Sequence, residues 1–166
     1  LTMDAEAVSF PDASFDFVYS FDVFEHLPNP GAVLKEIKRV LRPGACFVTG
    51  LHLYTSDSGY HDIRILSGER GDLPYWAHLR PRQAHRVTSA AYINQYSLQE
   101  WKQIFKSEMP GARFEHRYDK GLESKRRELI KLREVGELNE YTDEELLVFR
   151  LFALWQMPDT CVQPRS

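Results

Sequence analysis

Cysteine, excess positive charge and long apolar runs are what this sequence has least of, and each shortage removes a class of function. The two Cys, Cys46 inside an apolar stretch and Cys161 near the end, form neither a disulfide framework nor a metal-ligand spacing, and they suit a reducing, cytoplasmic setting. A formal charge of -3, with six His still to protonate before the balance changes sign, offers no basic field to nucleic acid or to an anionic membrane. No run approaches the roughly 20 apolar residues that cross a bilayer, and the first residues lack the basic and apolar regions of a signal peptide. Neither nucleic acid nor a membrane is an expected partner. There are no internal repeats, and Leu rather than Met at position 1 leads us to expect that the sequence starts inside a longer protein.

What is present is 43% hydrophobic and 13% aromatic residues, enough to bury a core without staples. Phe15 to Val23 (FDFVYSFDV) mixes aromatic and β-branched residues after the turn residues Pro11, Asp12 and Ser14, which predicts a short strand buried on both faces. Asn29 is a natural N-cap and Pro30 a natural first helical residue. Val33, Leu34, Ile37, Val40 and Leu41 then fall at helical spacing, with Lys35, Glu36, Lys38 and Arg39 outward. Arg42-Pro43-Gly44 ends the helix, and Ala45 to Leu53 (ACFVTGLHL) predicts a second strand. Strand, helix, strand in that order is a βαβ unit, which implies parallel strands and a right-handed crossover.

From Tyr54 to Tyr96 no period is sustained and Tyr, His, Trp, Arg, Gly and Pro dominate. Loops longer than roughly 15 residues are uncommon unless they are lids, binding loops or disordered, and the aromatic content argues against disorder. This segment is expected to be a lid with short helical turns. Ser97 and Glu100 form a capping box before a helix with Leu98, Trp101, Ile104 and Phe105 on one face, ended by Pro110-Gly111. Ala112 to Tyr118 alternates as a strand. Gly121 to Gly136 is a charged helix whose Lys125, Arg126, Arg127, Lys131 and Arg133, interleaved with acids, predict a solvated face. Thr142 and Glu145 make another capping box, giving a helical turn at Asp143 to Leu146 and a strand from Leu147 to Gln156. Residues 1–157 are expected to be one domain portion with the lid at 54–96, and residues 158–166 a flexible tail.

The run D-A-x-x-x-x-F-P-D-x-S-F-D-x-V-x-S from Asp4, then V-F-E-H-L-P-N-P, then L-x-E-I-x-R-V-L-R-P-G, resembles the class I S-adenosylmethionine-dependent methyltransferases of the small-molecule type. The match is strong over Asp4 to Gly44, weak over the lid, and holds in outline for the elements beyond. The resemblance implies an α/β, Rossmann-like methyltransferase fold, here incomplete: the C-terminal half of a mostly parallel, doubly wound sheet with a long lid insertion. Such sheets bind ligands at the carboxyl ends of their strands.

Carried over by residue, the resemblance implies S-adenosylmethionine as cofactor and a small-molecule acceptor. Asp4 accepts from the adenine amino group, Ala5 offers its amide to the ring, and Ser20 and Phe21 border the methionine part. Glu25 and His26 face the cleft, with His26 or a lid His or Tyr as general base. Tyr54, His61, Trp76 and Tyr96, with Tyr75 and His78, are placed to shape an acceptor pocket. Other readings stay open. Asp4 alone is a common turn residue, His26 can cap the helix or pack under Pro28, and an aromatic loop can equally be a small satellite core. His52, His61, His78 and His85 do not fall at a zinc spacing, so no metal is expected.

The family's glycine-rich loop and ribose-binding acid would lie upstream of Leu1, and none of the nine Gly stands in a G-x-G after a strand. The chain by itself is therefore expected to be inactive. Without the missing half, the first strand presents an interior edge, so self-association through it, or pairing with an N-terminal half, is expected. Two other readings compete: a non-catalytic assembly domain that kept a methyltransferase half-fold, and a nicotinamide-dependent reductase, whose class lacks the E-H-L-P-N-P and R-V-L-R-P-G features.

Overall fold

Two strands joined by one helix come first in the computed structural model, which describes residues 3–89, 91–119 and 121–159. Leu1, Thr2, Cys161 and most of the expected tail lie outside the described residues. Strand β1 (Phe15–Phe21) is followed by helix α1 (Pro30–Val40), which runs straight into strand β2 (Leu41–His52), and the two strands pair in parallel. α1 starts where its residue types dictate. The Asn29 side chain accepts the Ala32 amide at 3.3 Å, and Pro30 fills the first turn, where its missing N–H leaves nothing unpaired. Val33, Leu34 and Val40 face inward. β2 begins ahead of Ala45 because Leu41 already bridges to Phe15, and a bulge then lets regular pairing resume at Phe17 with Cys46.

The sheet has the order β1-β2-β4-β3, with β4 (Val148–Gln156) antiparallel to both β2 and β3 (Arg113–Tyr118). Strands β1, β2 and β3 thus share one direction. β4 alone opposes them, so a mostly parallel set of strands contains a single parallel pairing.

Between β2 and the next long helix the chain is irregular, as expected. It holds helix α2 (Ile63–Leu66), 3-10 turns at Ala77–Leu79 and Ala84–Arg86, and an isolated bridge between Asp62 and Ser89. Helix α3 (Leu98–Glu108) opens on the Ser97–Glu100 capping box. Its buried Leu98, Trp101 and Phe105 pack with Leu34, Phe47, Leu51 and Leu151 in the main core. Phe24 sits among these rings, 5.7 Å from Phe105 and 6.0 Å from Phe47 between centroids.

Helix α4 (Leu122–Glu134) and helix α5 (Asp143–Leu147), the latter capped by Thr142 and Glu145, build a second cluster. Leu129, Leu132, Leu138, Leu146 and Leu147 close there around Trp76 of the irregular segment. The capping box and the apolar strand at the end of the chain are both realised, with the boundary after Leu147 rather than Leu146. Among the described residues no helix is long and apolar enough to cross a membrane.

Two expectations are corrected. β1 is not buried on both faces: Phe15 and Val18 pack on the core, whereas Phe17, Tyr19 and Phe21 stay 54%, 67% and 44% exposed. Alternation sends these three rings to the face opposite Val18, the register irregularity between Phe15 and Phe17 sets Phe15 apart from them, and β1 lies at an edge of the sheet. Nor is the charged face of α4 wholly solvated. Lys125 is buried, because its ammonium reaches Asp57 at 3.1 Å and Asp119 at 2.6 Å.

The packing of Phe105 sets a direct check. Phe105→Ala should cost about 3–5 kcal/mol in urea unfolding, whereas Val135→Ala, at a site 72% exposed, should stay within about 0.5 kcal/mol of the parent.

Candidate active site

Because β1 and β2 are parallel, both end on the same side of the sheet. Past Phe21 the chain turns through Asp22, at φ 56°, into a 3-10 turn at Phe24–His26, while β2 stops at His52. Asn94 ties that turn down. Its side-chain amide donates to the Phe24 carbonyl at 2.8 Å and the Leu27 carbonyl at 3.1 Å, and its backbone amide donates to the Glu25 carbonyl at 2.8 Å. The Glu25 side chain is 1% exposed, with Oε1 accepting the His52 amide at 3.1 Å and Oε2 buried without a partner. Burial outweighs the hydrogen bonding and raises the carboxyl above its usual range.

Arg150 dictates where the protons of the neighbouring imidazoles sit. A guanidinium only donates, so His52 Nε2, 2.9 Å from Arg150 Nη2, must accept, and neutral His52 carries its proton on Nδ1. That Nδ1 lies 3.0 Å from His61 Nε2 and donates to it, which puts the proton of neutral His61 on its own Nδ1. Arg150 also donates to Asp22 Oδ1 at 2.6 Å. Burial first, then the charges of His61 and Arg150, push His52 down to about 4, and burial likewise lowers His61. Both rings are neutral near pH 7.

His26 stands beside them, its ring centroid 5.0 Å from that of His61. Its Nδ1 lies 2.8 Å from the Tyr92 carbonyl, an acceptor, so Nδ1 donates, and in the neutral form of the ring the lone pair is on Nε2. The loop that returns His61 to this point depends on Gly59. A Cβ there would lie 1.9 Å from the Leu53 carbonyl oxygen and 2.4 Å from that of Tyr54. Only glycine permits so close a backbone approach.

Behind His52 lies a cavity of about 340 Å³ that also meets Asp57, Ser58, Arg70, Tyr75 and Lys125. Asp57 is its anchor, buried, accepting the Trp76 amide at 2.9 Å and paired with both Arg70 and Lys125. The Arg70 guanidinium covers the Tyr75 ring at 4.4 Å.

The structure therefore brings Glu25, His26 and His61 together, with Ser20 on β1 just before the turn. The other expected residues lie elsewhere. Asp4 is exposed in a turn, its Oδ1 accepting the Glu6 amide at 2.9 Å, and Ala5 borders an apolar hollow of about 310 Å³ with Phe10, Phe15 and Ile37. Phe21 contacts Phe152 on the open face. Trp76 is fully buried in the second cluster, its indole N–H donating to the Leu146 carbonyl at 3.1 Å, and Tyr54 packs against that cluster. Tyr96 packs on Trp101, centroids 5.3 Å apart. For Trp76 the satellite core, left open by the sequence, is where the aromatic ring goes.

Sequence reasoning passed over Asp22, Asn94 and Arg150, and weighed His52 only for a zinc spacing. Arg150 carried a signal: it is the single charge in the apolar run LLVFRLFALW, and a charge there needs a partner. The linear His spacings showed no metal pattern, yet one ligand atom from each of Glu25, His52 and His61 lies within 4.8 Å of the others.

Residues 1–49 match the methyltransferase domain family model. Over this stretch the chain is similar to methyltransferase domains, and its curated relatives carry methyltransferase names. It is 32% identical over 107 residues to 27-O-demethylrifamycin SV methyltransferase of Amycolatopsis mediterranei, covering 59% of this chain and 39% of that protein. It is 47% identical over 45 residues to 2-methyl-6-phytyl-1,4-hydroquinone methyltransferase of Synechocystis, covering 27% and 14%. To sterol 24-C-methyltransferase of Aspergillus fumigatus it is 48% identical over 73 residues, covering 42% and 19%. The chain thus spans less than two fifths of the length of these curated relatives. Among solved structures, Haemonchus contortus phosphoethanolamine N-methyltransferase 2 in complex with S-adenosyl-L-methionine superposes with a TM-score of 0.54 at 16% identity, covering 94% of this chain and 36% of that one. The [4+2]-cyclase SpnF superposes at 0.50 and 13% identity, covering 95% and 54%. At such identities the likeness is one of fold, a Rossmann-like α/β sheet.

Gly59→Ala should destabilise the chain by roughly 1–3 kcal/mol in urea unfolding, since the added carbon meets backbone rather than a movable side chain. Gly68→Ala, where a Cβ meets nothing within 4 Å but φ is 78°, serves as the comparison and should cost less.

Proposed function

We propose that this chain takes part in S-adenosylmethionine-dependent methyl transfer to a small organic acceptor. The observation that carries the reading is His26, whose Nδ1 is held by the Tyr92 carbonyl, leaving an Nε2 lone pair at the carboxyl ends of a parallel strand pair. This is where sheets of this class take their ligands. In the proposed reaction an acceptor oxygen, nitrogen or carbon attacks the sulfonium methyl in line. A bond from that atom to the methyl carbon forms, the sulfur–methyl bond breaks to leave S-adenosylhomocysteine, and His26 Nε2 receives the acceptor's proton. The sulfonium is already activated, so the protein supplies alignment, proton removal and exclusion of water. Relatives named for a hydroquinone, a rifamycin and sterols support a small organic acceptor. Glu25 and His61 are assigned to the acceptor side, Ser20 and Phe21 to the methionine side. Asp4 and Ala5 are assigned to the adenine, with the glycine-rich loop, which these residues do not contain, contributing the remaining cofactor contacts.

Calorimetry with S-adenosylhomocysteine tests this without knowledge of the acceptor. A chain extended to include a glycine-rich loop should bind, and Asp4→Ala should weaken binding by about 1.5–3 kcal/mol, the worth of a charged hydrogen bond. Binding by neither the extended chain nor this one overturns the reading, and an unchanged affinity in Asp4→Ala removes that residue from the site.

The outer edge of β1 favours a second reading, an assembly role. Phe17, Tyr19 and Phe21 are exposed along a strand with no partner on its outer side among the described residues, and Val23 is exposed just past its end. Such an edge is a template for another strand, and we assign it to a second copy of the chain. Sedimentation at micromolar concentrations should show a dimer that Tyr19→Lys dissociates; a monomer throughout refutes the assignment.

A further inference from the structure

We propose that Glu25, His52 and His61 form a binding site for a divalent transition metal ion of the zinc type. Three observations converge. The first is donor geometry: His52 Nδ1 and His61 Nε2 are 3.0 Å apart, and His61 Nε2 is 4.0 Å from Glu25 Oε1. Donor atoms bonded to one tetrahedral ion at about 2.0–2.1 Å stand roughly 3.3 Å from each other, so these spacings bracket the requirement and sub-ångström shifts meet it. The second is the orphaned oxygen: Glu25 Oε2 is buried and has no partner, although the carboxylate's other oxygen is held by the His52 amide. A cation held by this carboxylate through Oε1 would offset the charge on an oxygen that the protein leaves without a partner. The third is the layer behind the ligands. Asp22 Oδ1 lies 3.6 Å from His52 Nε2, the carboxylate-behind-histidine arrangement that orients metal-bound imidazoles.

The proton arrangement then makes a specific demand. Without the ion, Arg150 Nη2 donates to His52 Nε2 and His52 holds its proton on Nδ1. A metal on Nδ1 requires that proton to move to Nε2. The new Nε2–H is given to Asp22, and Arg150 keeps only its own bond to Asp22 at 2.6 Å. Binding therefore exchanges the Arg150–His52 hydrogen bond for one from His52 to Asp22, and the Arg150 N–H that faced His52 has to turn away from the ring. The three ligands come from differently anchored pieces: Glu25 from the turn clamped by Asn94, His52 from the end of β2, His61 from the loop closed at Gly59. Three protein ligands leave a fourth position open, as in zinc sites that also hold water or substrate. The assignment does not depend on the chain's being a methyltransferase, because the ligands are this chain's own side chains.

The test uses the whole chain, stripped with a chelator and titrated with Zn²⁺ in a calorimeter. One ion per chain is expected. His61→Ala and His52→Ala should each abolish the tight phase, Asp22→Asn should weaken it by about 10- to 100-fold, and exposed His85→Ala should leave it unchanged. Since His52→Ala can unfold the chain, imidazole nitrogen NMR of the unaltered protein supplies a second readout: His52 should switch from the Nδ1–H to the Nε2–H tautomer as Zn²⁺ is added. Absence of saturable binding, a tight phase that survives His61→Ala, or a His52 tautomer that stays unchanged overturns the proposal.

Discussion

A parallel pair of strands must end on the same side, and in this chain that constraint places everything chemical. Parallel strands cannot be joined by a tight turn, so a crossover is obligatory, and α1 provides it. Once α1 has carried the chain back across the sheet, the exits of β1 and β2 lie together, and the turn bearing Glu25 and His26 meets His52. The irregular segment from 54 to 96 begins there. It folds His61 back onto the same point and returns Asn94 to clamp the turn. A sheet with β1 antiparallel to β2 would send these groups to opposite ends.

Charge is handled in two different ways on either side of His52. In the cleft, burial holds groups neutral: the Glu25 carboxyl is raised, and the His52 and His61 imidazoles are lowered. Behind His52, burial is met instead by pairing, with Asp57 held between Arg70 and Lys125. The difference follows from geometry. Asp57 faces long cationic side chains that can reach it, whereas Glu25 faces a backbone amide and imidazoles, which cannot supply a full counter-charge. The first region leaves Glu25 Oε2 without a hydrogen-bond partner, and the second anchors the irregular segment to α4.

Local signals were legible in the residues because their physics is local. Asn29-Pro30, Ser97/Glu100 and Thr142/Glu145 each complete a cap within a few residues, and each marks a helix start in the structure. The irregular segment and the succession of strands were equally clear. Exposure of the β1 rings was not, because an aromatic strand reads the same whether or not its second face is covered. Only the position of β1 at the edge of the sheet distinguishes the two.

The candidate site divides along the same line. Residue order alone was enough to show the likeness to methyltransferase domains over the first residues, to place Glu25 and His26 after the first strand, and to predict a βαβ unit there, since these depend on neighbours a few positions apart. Which groups complete the site was settled by folding. The Arg150–Asp22 bond joins residues 128 positions apart and the Arg150–His52 contact joins residues 98 apart. No spacing rule reaches so far, and Trp76 and His61, both expected either to shape an acceptor pocket or to join a satellite core, part ways for this reason. Packing against α4 and α5 takes Trp76 into the second core, while the backbone approach at Gly59 brings His61 back beside His52 and His26.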